Sequence, residues 1–210
     1  MPLETLVVPA IISKTQRDLD QSINKVKGKV KRVQLDVMDG EFVPNTSLNF
    51  DFEIPTGFEY EAHLMIKNPL DWVSENSYKV DIVALHIETL TNIEETVTFV
   101  KKKGIKLSLA LKAETTFEVV RPYLKRIDGI LVMTSIPGSH CTGFLPGPLE
   151  KVKKLREIDD SIPIEVDGCE NPENAKLARQ AGANIFISGS YIFNSKNVGR
   201  AIREIEHAVV

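Results

Sequence analysis

Cysteine is nearly absent from this 210-residue chain: there are two, Cys141 and Cys169. Two cysteines are too few for a disulfide framework, and their scarcity suits a reducing, cytoplasmic setting. Long hydrophobic runs are missing as well. No segment approaches the roughly 20 apolar residues that a membrane helix needs. The N-terminal apolar run Leu6–Ile12 is short, broken by Pro9 and preceded by no basic region, so neither membrane insertion nor a secretory leader is expected. An excess of one charge is lacking too. Twenty-six Lys and Arg against 29 Asp and Glu leave a formal charge of −3, which argues against nucleic acid as a partner, because phosphate backbones recruit clustered basic residues. The basic clusters that exist, Lys101–Lys103 and Lys151 to Lys154, fall on amphipathic segments and read as solvated helix faces. With 42% hydrophobic and 26% charged residues, the composition is that of an ordinary globular protein, neither disordered nor collagenous nor coiled-coil.

What is present is an alternation. Strand-like apolar runs lie near 6–12, 31–38, 59–65, 81–87, 105–111, 129–133, 162–167 and 184–189. Between most of them sit segments with a helical period. Leu19, Ile23 and Val26 form one stripe; Ile93, Val97 and Val100 form another, closed by Gly104; Val198, Ile202 and Ile205 mark the last helix. Asn68-Pro69 and Asn171-Pro172 place a capping side chain before a first-turn proline. Thr115 with Glu118 reads as a capping box. The exception is 44–58, which holds two prolines and little helical period; a long loop with at most one helical turn is expected there.

Eight strands and about seven helices predict one (β/α)8 barrel domain over residues 1–210 with a reduced second helix. A doubly wound open sheet would show the same alternation, and the strand faces discriminate. Side chains alternate between the two faces of a strand. Gln34, Asp36 and Met38 share one face, as do Glu61, His63 and Met65; Ala84, His86 and Glu88; Ser108, Ala110 and Lys112; and Glu165 and Asp167. Central strands of an open sheet are apolar on both faces. Polar residues gathered on one face, toward the C-terminal strand ends, describe the mouth of a barrel instead. Five ionisable groups, Asp36, His63, His86, Lys112 and Asp167, converge on that rim, and buried charge is costly unless it is used or paired. Glu165 lies a layer deeper and is expected to pair within the floor, while His207 reads as a surface histidine. Met38, Met65 and Met133 each end a strand and suit an adaptable apolar lining. The turns at Gly168-Cys169 and Gly189-Ser190 follow the last two strands, where barrels bind phosphate.

These residues resemble the ribulose-phosphate 3-epimerase family. Leu35-Asp-Val-Met-Asp-Gly-Glu-Phe-Val-Pro-Asn45 is close to that family's signature, and Ala62-His-Leu-Met-Ile66, Ile164-Glu-Val-Asp-Gly168 and Asn171-Pro-Glu-Asn174 follow it. Ile130-Leu-Val-Met133 before Pro137-Gly138, and Gly189-Ser-Tyr-Ile-Phe193, also fit, so the similarity runs in order from about Pro9 to the C-terminus. The resemblance implies a phosphate-binding barrel of carbohydrate metabolism, in the pentose phosphate pathway, that interconverts ribulose 5-phosphate and xylulose 5-phosphate at C3. It implies Asp36 and Asp167 as the acid–base pair, and Gln34, Asp36, His63 and Asp167 as the positions that hold a divalent metal (zinc, iron, manganese or cobalt), with no organic cofactor. Substrate contacts would come from His63, Met38, Met65, Met133, Gly138, Gly168, Cys169, Gly189 and Ser190. By the same resemblance the chain is a cytoplasmic homo-oligomer.

The departures bear on the site. Gln34 stands where the family has a histidine ligand, Ala10 where it has a serine, and Lys112 where it has an asparagine. The glycine-rich loop is here Ile136-Pro-Gly-Ser-His-Cys-Thr142, which brings His140 and Cys141 toward the expected phosphate. Loss of a histidine ligand together with an inward lysine offers Lys112 as a substitute cation. The alternatives are an epimerase for another ketose phosphate such as allulose 6-phosphate, a lyase with Lys112 as Schiff base, and a barrel that binds sugar phosphates without turnover.

Overall fold

The computed structural model of the protein describes residues 3–138 and 141–210. Its eight main strands all run parallel: β1 (Leu6–Ile11), β2 (Arg32–Asp39), β4 (Glu59–Met65), β5 (Ile82–His86), β6 (Lys106–Leu111), β7 (Gly129–Met133), β8 (Ile164–Asp167) and β9 (Ile185–Ser188). Pairing of β1 with β2 closes them into a barrel. The open-sheet alternative is thereby excluded. All eight strand-like runs of the sequence are strands. A two-residue strand, β3 (Thr46–Ser47), lies antiparallel to the end of β2.

The helices form where an apolar stripe meets a capping side chain. In α1 (Gln16–Val26), Leu19, Ile23 and Val26 are buried and Thr15 accepts the amide of Asp18. Helix α3 (Ile93–Lys102) is capped by Asn92 and stops before Gly104, whose φ of +76° suits a residue without a Cβ. Asn171 caps α5 (Pro172–Ala181), accepting from Asn174. Helix α7 (Val198–Ala208) buries Ile202 and Ile205. Asn68, by contrast, makes no side-chain cap on α2 (Pro69–Asn76). Helices α4 (Leu149–Ile158) and the single-turn α6 (Ser190–Phe193) complete the set. Among the described residues no helix is long and apolar enough to cross a membrane.

Two connections replace a helix with something shorter. Residues 44–58 hold no helix, as expected, though the two-residue β3 in them was not foreseen, and Leu48 and Phe52, both 1% exposed, join the core there. The connection after β6 is a correction: Thr115 and Glu118 form no capping box, and two 3-10 turns (Phe117–Val119, Arg121–Tyr123) stand where a helix was expected. The Thr115 hydroxyl is drawn instead to the Glu88 carboxylate. A second correction follows from it. Lys151 is not simply part of a solvated face, because it is half-buried and its ammonium donates to the carbonyls of Lys112, Ala113 and Thr115 at 2.6, 2.9 and 2.7 Å.

Inside the barrel the strand register stacks side chains in layers. Arg32, Glu61, Ser108 and Glu165 form the floor: Arg32 donates to Glu61 at 3.2 Å, and Ser108 to Glu165 at 3.0 Å. Glu165 therefore pairs within the floor as expected. Gly129 belongs to this layer because a Cβ there would lie 2.6 Å from the Ser108 hydroxyl. Burial and the neighbouring Glu165 hold Glu61 well above the ordinary carboxylate range, and the Arg32 guanidinium, which also donates to Glu59 at 2.8 Å, opposes that rise. The inward faces also carry an apolar cluster that includes Val8, Ala84, Ala110, Leu131, Ile185 and Ile187. The register that pairs Gln34 with Glu61 and Asp36 with His63 also pairs Met38 with Met65 at the rim.

Candidate active site

A cavity of about 120 Å³ opens at the C-terminal mouth of the barrel. Asp36, His63, Asp167, Met38, Met65 and Met133 line it on the strand ends. Gly138, Gly168, Cys169, Gly189 and Ser190 line it from the loops, together with Ala10 and Cys141. No Lys or Arg is among the described residues that line it. Two loops meet over one side: a Cβ on Gly138 (φ +93°) would lie 2.4 Å from Val43, so only glycine lets the 136–138 segment approach the β2–β4 loop this closely. Gly168 (φ +137°) is held likewise against the Ser135 backbone, 2.4 Å from where a Cβ would sit.

The centre of the site is a four-residue knot. The Gln34 amide donates to Asp36 at 2.9 Å and to Asp167 at 2.8 Å. His63 Nδ1 lies 3.4 Å from Asp36 and 3.2 Å from Asp167. Gln34 and His63 are fully buried and Asp36 nearly so. Burial alone would lower the His63 pKa, but hydrogen bonds to the Asp167 and Asp36 carboxylates outweigh it and raise it to about 10. Burial pushes Asp36 up, against the hydrogen bond from His63.

The donor set suits a divalent cation. Ligand atoms of Asp36, His63 and Asp167 all lie within 4.8 Å of one another. Gln34 adds an independent sign: with its NH2 turned to the carboxylates, its buried Oε1 has no partner. Reversing the amide exchanges these two atoms and turns the oxygen toward the same centre, giving three oxygen ligands and one nitrogen.

Other expected groups sit apart. The Lys112 ammonium lies 4.1 Å over the Phe42 ring and lines a separate hollow with Val43 and Pro44, not the mouth cavity. His86 is fully buried behind His63, at 3.0 Å between their Nε2 atoms. Burial lowers its pKa to about 4, despite the Glu88 carboxylate at 3.1 Å. His140 lies outside the described residues. Cys141 and Cys169 are joined in a disulfide, which corrects the expectation of reduced cysteines and leaves neither as a metal ligand. It ties the covering loop to the turn after β8, where Cys169 adopts a φ of +60°.

Sequence reasoning placed Glu61 on the inward face without giving it a role, and missed Arg32 and Glu170. Arg32 carried a readable signal, since it falls on the inward parity of β2. Glu170 carried none. It follows the turn after β8, is 1% exposed, accepts from Thr134 at 3.0 Å through Oε1 and leaves Oε2 unpaired, and burial raises its pKa to about 8.

The sequence profile of the ribulose-phosphate 3 epimerase family matches residues 6–193. Ribulose-phosphate 3-epimerase of Bacillus subtilis is 31% identical over 210 residues, covering 95% of this chain and 97% of that one. The corresponding protein of Schizosaccharomyces pombe is 26% identical, covering 99% and 95%. Among solved structures, a mutant tryptophan synthase α-subunit from Pyrococcus furiosus superposes with a TM-score of 0.73 at 13% identity, covering 99% of this chain and 100% of that one. The 3-hexulose-6-phosphate synthase of Salmonella typhimurium gives 0.69 at 16%, covering 97% and 98%; these two speak for the barrel alone. Profile and sequence relatives together place the chain in the ribulose-phosphate 3-epimerase family, as an isomerase.

Proposed function

We propose that the chain interconverts D-ribulose 5-phosphate and D-xylulose 5-phosphate, with Asp36 and Asp167 moving the proton at C3. The observation that carries this reading is the convergence of two carboxyls on one imidazole nitrogen, from β2 and β8, strands separated in the barrel by β1 and β9. Epimerisation removes a proton α to a ketone and returns one to the opposite face of the same carbon. It needs two carboxyls on two sides of the substrate, one ionised and one protonated at the start. The carboxyl that has taken the proton and the one that has given it exchange states with each turnover, which leaves the pair set for the opposite epimer. That symmetry makes the reaction reversible in place.

Asp36, His63 and Asp167, with the Gln34 amide oxygen, would hold a divalent ion, which supplies positive charge beside the enediolate oxygens. Met38, Met65 and Met133 would enclose the reacting carbons, keeping water from quenching the carbanion. Backbone around Gly168–Cys169 and Gly189–Ser190 would take the phosphate. With no Lys or Arg among the described residues of the lining, that contact would rest on N–H groups and the start of α6.

A coupled assay on ribulose 5-phosphate, with and without added Mn2+ or Zn2+, tests the proposal. Turnover of this substrate above that of allulose 6-phosphate supports it. Turnover of allulose 6-phosphate alone moves the specificity to the six-carbon ketose, and saturable binding of both without turnover replaces the enzyme with a binding barrel.

A further inference from the structure

His63 spends one ring nitrogen on Asp36 and Asp167, and its other nitrogen has one partner, Nε2 of His86 at 3.0 Å. Two ring nitrogens at that distance share one proton: one donates and the other accepts. The next contact decides which. His86 Nδ1 lies 3.1 Å from Glu88 Oε2, and an ionised carboxylate only accepts. His86 therefore carries its proton on Nδ1, its bare Nε2 accepts, and His63 Nε2 donates.

Glu88 is itself fixed from behind. Its Oε1 accepts the Lys112 backbone amide at 2.9 Å and the Thr115 hydroxyl. The Phe42 ring, 4.8 Å from the His86 ring, packs against the chain of contacts, and both imidazoles are fully buried.

We propose that Glu88 and His86 are positioning residues whose directional hydrogen bonds hold the proton of His63 on Nε2 and so aim Nδ1 at the Asp36–Asp167 centre. Nδ1 is then the nitrogen offered to a cation held there. The inference rests on the reading of Asp36, His63 and Asp167 as an ion site. It explains why a carboxylate beyond contact with the cavity sits at the end of a buried two-imidazole line. It also gives the β6–β7 connection a task, since Thr115 and the Lys112 amide, both in the stretch that lacks a helix, hold Glu88 in place.

The discriminating substitution is Glu88→Gln, which keeps the shape. The Lys112 amide still needs an acceptor, so the glutamine oxygen faces it and the NH2 faces His86. His86 Nδ1 must then accept, its proton moves to Nε2, and the direction of the whole chain reverses. Nitrogen-15 NMR of the metal-free wild type, which needs no variant, should find His86 neutral with its proton on Nδ1. Glu88→Gln should move that proton to Nε2 and weaken Mn2+ binding, read by titration calorimetry, by about 10–100-fold with unchanged secondary structure. Glu88→Asp should recover part of the affinity.

A wild-type His86 protonated on Nε2 overturns the proposal, as does a Glu88→Gln protein that binds Mn2+ as tightly as the wild type. A wild type that binds neither Mn2+ nor Zn2+ overturns the ion reading, and the His86 tautomer then still decides the direction of the chain.

Discussion

Glu170 attaches a pH dependence to the fold through one carboxyl. Its ordinary pKa is 4.5 and burial raises it to about 8 in the folded chain. Below 4.5 the group is protonated whether the chain is folded or not, and stability is unaffected. Between those values the unfolded chain gives up the proton and the folded one keeps it, so stability falls by about 1.4 kcal/mol per pH unit. Above about 8 the loss is complete. Glu170→Gln should therefore come within about 1 kcal/mol of the wild type in urea unfolding at pH 5 and exceed it at pH 8 by about 3–5 kcal/mol. Parallel pH profiles would exclude Glu170 as the source. Gln34 supports a second prediction at this scale. Imidazole suits zinc better than an amide oxygen does, so Gln34→His should raise Zn2+ affinity more than Mn2+ affinity in competition titrations. An equal change for both ions would mean that residue 34 does not ligate. Period-two alternation made Asp36, His63 and Asp167 legible in the sequence. Glu170 was not, because a loop has no period and its burial depends on Thr134, 36 residues away.

At the scale of elements, several of the legible helices carry both an apolar stripe and a side-chain cap, as α1, α3 and α5 do, while α2 forms without one. Asn171 before Pro172 is such a cap, and Asn171→Ala should cost about 1 kcal/mol in thermal or urea unfolding. The segment 113–128 shows the limit. Thr115 and Glu118 have the spacing of a capping box, but the Thr115 hydroxyl is claimed by Glu88 from a different loop, and Lys151 donates to the Thr115 carbonyl. A local motif lost to a tertiary contact. The disulfide was equally out of reach, since a separation of 28 residues becomes a Cα–Cα distance of 4.9 Å only once the barrel has closed. Reduction should lower stability by about 2–4 kcal/mol, and reductant should have no effect on a Cys141→Ser protein. Unfolding midpoints with and without reductant check this. Equal midpoints for the oxidised and reduced wild type would show that the bond adds nothing to the fold.

At the scale of the whole molecule, a near-neutral chain segregates its charge. Arg32, Glu61 and Glu165 stop the floor, the aspartates with His63 occupy the mouth, and an apolar cluster that includes Val8, Ala84 and Leu131 lines the inward faces with them. That layering follows from closure: strands tilt in a barrel, so each layer is built from alternate strands, while the register sets neighbours such as Asp36 and His63 side by side. The alternation of elements and the polar inward faces were enough to choose a barrel over an open sheet. They could not say which carboxyl pairs with which base, because partners such as Asp36 and Asp167 come together only in the closed ring. The proposed epimerisation rests on these two aspartates, one taking the proton at C3 of a ketose phosphate and the other returning one. Incubation with ribulose 5-phosphate in deuterated water measures it most directly. Wild type should place solvent deuterium at C3 of the xylulose 5-phosphate formed, and Asp36→Asn and Asp167→Asn should each abolish epimerisation. Wild-type epimerisation rates in either variant, or product with no solvent deuterium at C3, would contradict the account.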